Sequence, residues 1–580
     1  FLRFPVQAVQ NGGGAFIIRY LVCLVLLGFP LLMIEWSVGR YGGKFGHHST
    51  PFILHSMSNK AIWKYVGVFG LFSNLAIAAY YCYIESWTIS YIFHTIIGTF
   101  DQLSRFQVAD FFDGYTDVAH STTGISYEAL VFYVLCLALN TWILSRGLAG
   151  GVEKASKIGV PLLIVFGIFL AIKAITLKAG SENAVYDGIV GLSFLWTPQF
   201  DSLTNPKVWL AAAGQIFFTL SVGMGSIQCY ASYLRERDDI AVNAMSAGFM
   251  NEFVEIVLGS SVIIPISIGY LGVDKVVDLV GLGGLGLAFR TMPFLFEQWG
   301  SILSVIAGVA FFGLLFFAGI TSSLAMGTPI VGFLKDEFKF SNKKAALTFA
   351  IITLALGLPV VLFFQQGVFD EFDYWAGTVA LFIFAMFESI LFSWFFGADK
   401  GWKEFLKGAD MKLPGIFRYI LKYVTPILLI IVFVTSLIRP AKDDWSSLSF
   451  KGWELHPESI LGQITYKGIL YNKQNVADVF YSENSGIVDS IYSLRGKNYI
   501  RITPEGKTSE YGKNYVFKEH QKILVQWGDV VKAGQPILQG RVINRILYIK
   551  IARFILLTLF IGLSILVHLA YRNRKKYHKI

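Results

Sequence analysis

The chain has 580 residues, of which 54% are hydrophobic, 16% aromatic and 15% charged, with a mean hydropathy of +0.56. A soluble domain carries about 25% charged residues, so this composition argues against a soluble enzyme. The net charge of +10 does not point to nucleic acid, because Lys and Arg cluster at the ends of long apolar runs, a mark of membrane topology.

The first apolar stretch, Phe1–Gln10, is about half of the roughly 20 residues that cross a bilayer, and the expectation is a first span whose start precedes Phe1. Windows long enough to span recur near residues 15–35, 62–97, 127–144, 158–177, 208–233, 241–270, 302–333, 345–364, 375–396, 416–438 and 549–570. Completing the first gives twelve spans. Segments 43–60, 145–157, 234–239, 335–344, 397–412 and the tail 572–579 are rich in Lys and Arg and are expected in the cytoplasm. Segments 99–126, 179–206 and 365–373 carry few basic residues and are expected outside. This predicts a multi-pass protein of the cell membrane, lipid its surroundings, with a cytoplasmic C-terminus.

Residues 441–542 differ. They are polar, alternate with period two in Tyr499–Thr503 and Lys522–Trp527, and carry turn signals at Pro504-Glu505-Gly506 and Trp527-Gly528-Asp529. A small extracytoplasmic β domain is predicted there, between a core at 1–440 and a last span with its basic tail at 543–580. Gly528–Leu538 resembles the turn-strand signature of barrel-sandwich domains related to lipoyl carriers. The carrier's modifiable lysine hairpin is not evident, which favours an accessory module.

Cys23, Cys82, Cys136 and Cys229 all fall in apolar runs, with neither disulfide nor zinc-site spacing. Gly281-x-Gly283-x-x-Gly286 lacks the preceding strand of a dinucleotide site and reads as a flexible loop. His47-His48, in a basic loop, reads as solvated.

In a bilayer, backbone polar groups must be satisfied inside helices, so a broken span marks a cavity or a buried site. Thr219–Ser226, with Gly223 and Gly225 among three hydroxyl residues, predicts such a break, offering carbonyls to a cation and a half-helix N-terminus to a carboxylate; a small-residue packing face is the alternative. Ala318, Thr321 and Ser322 at i, i+3, i+4 put a carbonyl and two hydroxyls on one face, a neutral oxygen set suited to a monovalent cation. Met326 lies one turn further. Asn251 and Glu255 share a face in an apolar span, and a membrane-embedded carboxylate points to function; Glu35, Glu85, Glu252 and Glu388 raise the same question, some as structural groups at helix breaks. Ile77 and Tyr81 share another face.

Phe1-Leu2-Arg3-Phe4-Pro5, Asn11–Phe16, Glu35-Trp36, Gly39–Gly43, Tyr80-Tyr81, Ile84–Trp87, Gly214–Ser221, Ala318–Ser323 and Trp375–Thr378, in this order, closely resemble the neurotransmitter:sodium symporter family, near its bacterial leucine-transporter branch. The resemblance covers nearly all of 1–438 and the last span. It implies an all-α polytopic membrane fold of inverted five-helix repeats, with helices 1 and 6 broken around a midplane site. It also implies roles for residues. Thr219 and Asn251 resemble ligands of a first sodium ion, and Ala318, Thr321 and Ser322 ligands of a second, both sites being completed just before Phe1. Tyr81 resembles the tyrosine that binds the substrate carboxylate, Phe218 the residue that closes over the site, and Phe218, Thr219 and Ser221 the oxygens that meet the amino group. Ile77, Met224, Ser322 and Met326 resemble the side-chain subsite, where methionines give an adaptable wall for medium to large apolar substrates, aromatic ones included.

Arg3 and Asp373, with Asp370 nearby, resemble the outer gate. Asp336, Tyr233 and Ser232 resemble the cytoplasmic gate, whose arginine is expected before Phe1. Glu255 stands where chloride-dependent relatives hold an anion beside the positions of Tyr20, Gln215 and Thr219, implying chloride independence. Arg19 replaces a common proline and either snorkels or contacts another part of the protein. The expected function is sodium-driven uptake of apolar or aromatic amino acids by alternating access, with Na+ as the only cofactor, and with amino acid, sodium and lipid, not nucleic acid, as partners. A non-transporting amino-acid sensor and an amine transporter are the alternatives. An enzyme is least supported, since no nucleophile-base pair or metal cluster emerges.

Overall fold

A computed structural model describes residues 1–58, 60–118, 125–200, 203, 205–281, 283–441, 454–465, 476–482, 484–494, 497–504, 506–507, 512–517, 522–543 and 545–578. It has two compact units: Phe1–Arg439 with Ile551–Ile580, and Pro440–Lys550.

The first unit is helical. Among the described residues of the chain, ten helices are long and apolar enough to cross a membrane: Gly14–Gly43, Ile62–Ile96, Ser126–Ser145, Leu148–Thr176, Ile240–Leu271, Ser301–Phe338, Asn342–Leu362, Val368–Phe405, Ile416–Leu437 and Ile546–Arg574. The window predicted at 208–233 is no single helix. It divides into Pro206–Leu220 and Ser226–Ala231, as the glycines of the Thr219–Ser226 segment predict. Phe1–Gln10 contributes the short helix Arg3–Gln10.

The broken helix turns on backbone that side chains resist. Ser221, Gly223 and Gly225 have φ of 53°, 81° and 79°, the left-handed region that costs a residue bearing Cβ. Carboxylate and amide side chains take over the freed backbone groups. Gly223 N donates to Glu35 Oε1 at 2.5 Å, Asn74 Nδ2 donates to the Met224 carbonyl at 2.6 Å, and Ser226 Oγ donates to Asn74 Oδ1 at 2.8 Å. Left unsatisfied, each buried group costs about 1–3 kcal/mol.

The helices Ile62–Ile96 and Ser301–Phe338 pack against each other through small residues. A Cβ at Gly319 would lie 3.1 Å from Glu85 Cγ, and one at Gly308 would strike Thr95. Glu85 is structural here: it accepts from Asn140 Nδ2 at 3.2 Å, and Ser323 Oγ donates to Asn140 Oδ1 at 2.7 Å. Several spans contain widened π-helical turns, among them Leu24–Gly28, Phe253–Gly259 and Trp375–Ala380. The Gly281–Gly286 stretch corrects the loop reading, because helix Gly283–Arg290 begins there; Leu282 lies outside the described residues.

The second unit holds strands Val476–Tyr481 (β1), Gly486–Leu494 (β2), Lys497–Thr503 (β3), Lys513–Phe517 (β4), Lys522–Ile523 (β5), Val530–Val531 (β6) and Pro536–Ile543 (β7). They form two antiparallel sheets, ordered β1-β7-β5 and β4-β3-β2-β6, around Val488, Ile500, Ile502, Val525, Val531, Ile537 and Leu538. Alternation at Tyr499–Thr503 marks β3. At Lys522–Trp527 only the two residues of β5 pair as strand, while Val525 still reaches the core. Of the predicted β region, residues 442–453 and 466–475 are the longest parts outside the described residues, and Glu505 of one turn signal is also outside. So are residues 119–124 of the 99–126 segment and Lys579 of the tail.

Gly223→Ala should lower the thermal stability of the detergent-purified protein by roughly 1–3 kcal/mol, the range for a strained backbone position, because its Cβ would sit 2.6 Å from the Leu381 carbonyl oxygen. Gly214→Ala, inside Pro206–Leu220 and meeting nothing within 4 Å, should instead raise it by about 0.4–1 kcal/mol. Thermal melts of the two variants side by side check this.

Candidate functional site

The site residues gather around the broken helix. Ile77 and Tyr81 lie on Ile62–Ile96, one and two turns beyond the Asn74 that holds the Met224 carbonyl. Across from them, on Ser301–Phe338, stand Ser322 and, one turn further, Met326. Ile77, Met224 and Met326 are buried. The outcome is an apolar wall beside hydroxyls and loosened backbone, with Phe218 at the end of Pro206–Leu220 left 40% exposed.

Ala318, Thr321 and Ser322 converge as their spacing predicts. Thr321 Oγ1 and Ser322 Oγ lie 3.0 and 3.1 Å from the Ala318 carbonyl oxygen, to which both donate. Thr219 and Asn251 also meet: Asn251 Nδ2 donates to Thr219 Oγ1 at 2.8 Å. Both clusters are neutral oxygen donors, the chemistry that suits a weakly held monovalent cation. Among the described residues no group of three or more His, Cys, Asp or Glu could hold a metal ion.

Glu255 is surrounded by donors. Tyr20 OH donates to its Oε2 at 3.1 Å, and Gln215 Nε2 and Thr219 Oγ1 donate as well. The widened turn Phe253–Gly259 carries Glu255 just after the regular helix Ile240–Glu252 that carries Asn251. Thr219 touches both, tying the carboxylate to oxygens of a kind that suits a cation. Arg19 does not snorkel. It is fully buried with its guanidinium 5.8 Å from the Trp209 ring centre.

The pair expected at the outer gate is not joined. Arg3 lies over the Phe218 ring at 4.5 Å, whereas Asp373 Oδ1 accepts from Tyr80 OH at 2.7 Å, and among the described residues no ion pair links Arg3 to Asp373. Asp370 is exposed. The intervening Glu371 is buried, pairing with Arg553 Nε at 2.6 Å and accepting from Trp375 Nε1 at 3.0 Å.

The residues expected at the cytoplasmic gate are joined, and by a residue the sequence reading set aside. His48 N donates to Asp336 Oδ2 at 2.9 Å, its Nδ1 lies 2.8 Å from Ser232 Oγ, and its ring stacks on Tyr233 with centres 4.1 Å apart. Ser232 Oγ already donates to the Cys229 carbonyl at 2.6 Å. A hydroxyl has one hydrogen, so His48 Nδ1 carries the donating proton. Burial and the neighbouring Lys335 push His48 down to about 4, leaving the ring neutral near pH 7. His47, likewise, is not solvated. Its Nδ1 lies 2.9 Å from Arg574 Nη1, and burial and that guanidinium push it down to about 3. His48 and Asn74 are the residues the sequence reading missed; a lone Asn in an apolar span was the available signal for Asn74.

The family described as the Sodium:neurotransmitter symporter family matches residues 1–104 and 99–462. An uncharacterized sodium-dependent transporter of Methanocaldococcus jannaschii is 32% identical over 439 residues, covering 74% of this chain and 84% of that one. A sodium-dependent nutrient amino acid transporter of Drosophila melanogaster is 25% identical over 509 residues, covering 77% of this chain and 76% of its own. The crystal structure of MhsT in complex with L-phenylalanine superposes with a TM-score of 0.63 at 28% identity, covering 75% of this chain and 94% of MhsT. Sodium in such a protein is a co-substrate and not a resident cofactor. The chain belongs to the sodium:neurotransmitter symporter family and is a sodium-dependent, multi-pass membrane transporter, not an enzyme.

Proposed function

We propose that this transporter is a symporter that imports apolar and aromatic amino acids, drawing on the inward sodium gradient. The observation that carries this reading is the break at Ser221–Gly225, tied by the Asn74–Met224 contact to the helix of Ile77 and Tyr81 and bordered by the buried Ile77, Met224 and Met326. Such a site offers polar groups to an amino acid's charged end and an adaptable apolar wall to its side chain. The L-phenylalanine bound to MhsT and the nutrient amino acids named for the insect relatives support the same substrate class.

In this reading Ala318, Thr321 and Ser322 hold one sodium ion, and Thr219 and Asn251 help to hold another near the substrate. Phe218 covers the substrate; Phe218, Thr219 and Ser221 face its amino group. Arg3 with Asp373 and Asp370 gates the outside, and Asp336 with Ser232 and Tyr233 gates the cytoplasm. The separated outer pair beside a joined inner cluster suits a conformation open to the outside. Twelve spans in inverted repeats, a core at 1–440, a β domain at 441–542 facing outward and a last span at 543–580 with a cytoplasmic end complete the proposal.

Glu255 explains an independence from chloride. Its three donors already converge on a negative charge that belongs to the chain, so no dissolved anion is required.

Proteoliposomes given an inward sodium gradient should accumulate radiolabelled tryptophan and leucine, and without sodium they should not. Binding without accumulation would indicate a sensor, and failure of leucine, methionine and tryptophan alike to compete would sink the substrate class. Thr321→Ala and Ser322→Ala should each raise the sodium concentration for half-maximal uptake about ten-fold, the equivalent of one lost hydrogen-bond-strength contact. Glu255→Ser should transport poorly in chloride-free buffer and recover on adding chloride, because Tyr20 and Gln215 then lack an anion; equal rates in both buffers would refute the role given to Glu255.

A further inference from the structure

The last helix, Ile546–His578, is joined to both gate regions by arginines that the transport site does not use. Near one end, Arg553 Nε pairs with Glu371 at 2.6 Å, and its guanidinium lies 5.4 Å from the Trp375 ring centre. Glu371 sits directly after Asp370 and two residues before Asp373. Near the other end, Arg574 grips Glu337 through two nitrogens, Nε at 2.8 Å and Nη2 at 2.5 Å. It also reaches His47 at 2.9 Å and lies over Phe52 at 4.4 Å. Glu337 directly follows Asp336, and His47 directly precedes His48. Each arginine thus holds the immediate neighbours of a gate carboxylate, and at the cytoplasmic end also the neighbour of the histidine that joins the gate.

The two arginines are 21 positions apart in one continuous helix, roughly 31 Å at 1.5 Å per residue, the thickness of a hydrocarbon core. Both carboxylates are almost fully buried, with side-chain exposures of 3% for Glu371 and 2% for Glu337. Each is therefore poorly served by water if its arginine leaves. Forked, two-point contacts of this kind fix geometry as well as charge.

We propose that the last helix is a strut that couples the two gates, with Arg553 and Arg574 as positioning residues. Both straps belong to the arrangement in which Arg3 and Asp373 are apart and Asp336, Ser232, Tyr233 and His48 are together. The outer strap keeps Val368–Tyr374 on the helix and away from Arg3; the inner strap keeps the cytoplasmic end of Ser301–Phe338 and the His47-His48 loop in place. Cutting either one removes stabilisation from this arrangement alone, so the population moves toward the form open to the cytoplasm. The effect of Arg553 must therefore be readable at the far end.

The inference rests on the gate assignment above, and its test separates the two. Val331 is buried and lines a cavity on the cytoplasmic side with Tyr233 and Lys335. In the full chain carrying Val331→Cys, the rate of reaction with a charged methanethiosulfonate reagent reports the opening of that side, and the parent chain with its four buried cysteines gives the background. Arg574→Gln and Arg553→Gln should each raise the rate, by about ten-fold, within the range of couplings between distant sites. The charge-swapped pair Glu337→Arg with Arg574→Glu should return it toward the parent value, which a merely unfolded protein could not do. An increase for Asp336→Asn with none for Arg553→Gln would overturn the strut and keep the gate. No increase for Asp336→Asn would overturn the gate assignment and the strut built on it. The assay needs neither substrate nor gradient, so an error in the substrate class leaves it decisive.

Discussion

The protein depends on satisfying a break in a helix where no water is at hand. At Ser221–Gly225 the backbone leaves the helical path, and the groups it exposes must find partners inside the protein. Glu35 takes the Gly223 amide and Asn74 takes the Met224 carbonyl. These two side chains come from Gly14–Gly43 and Ile62–Ile96, so the break is fixed to neighbours on two sides and stays a defined shape. Everything proposed for the site follows from that fixation. A second half-helix and the hydroxyls of Thr219 and Ser221 are presented from one rigid irregularity.

Polar side chains inside the apolar unit divide by what surrounds them. Glu85 with Asn140 and Ser323 forms a closed hydrogen-bonded group beside a tight helix crossing, as a structural carboxylate should. Glu255 instead connects through Thr219 to Asn251, reaching the oxygens suited to a cation. The cluster of His48 with Asp336, Ser232 and Tyr233 is of a third kind: it joins a loop, a helix end and a half-helix end through one neutral imidazole. Such a junction can part without uncovering a charge on the ring.

Residues related by short, regular spacing were legible in the sequence. Ala318, Thr321 and Ser322 needed only the helical period, and the break at Thr219–Ser226 announced itself by two glycines and three hydroxyls. Long-range partners were not legible. His48 reads as a loop residue because nothing near it in sequence reveals Asp336, Ser232 or Tyr233, which fold onto it from hundreds of positions away. Arg19 left two readings open until Trp209 was placed beside it. Hydropathy merged the two halves of the broken helix into one window, since averaging over a span hides five residues of irregular backbone. The two-residue strand β5 shows the same limit: alternation reports which side chains face the core, and Val525 does, but it does not supply a pairing partner.

The widened turn at Phe253–Gly259 has a consequence for how this span can adjust. A π turn carries a surplus residue relative to the α-helical path. If the surplus migrates one position along the chain, a side chain between the old and new places rotates by roughly 100°, the angle per residue of an α-helix, while both ends of the span stay where they are. Glu255 rides on that surplus. The span thus holds slack in its winding, a store of rotation at a carboxylate whose three donors come from elsewhere in the fold.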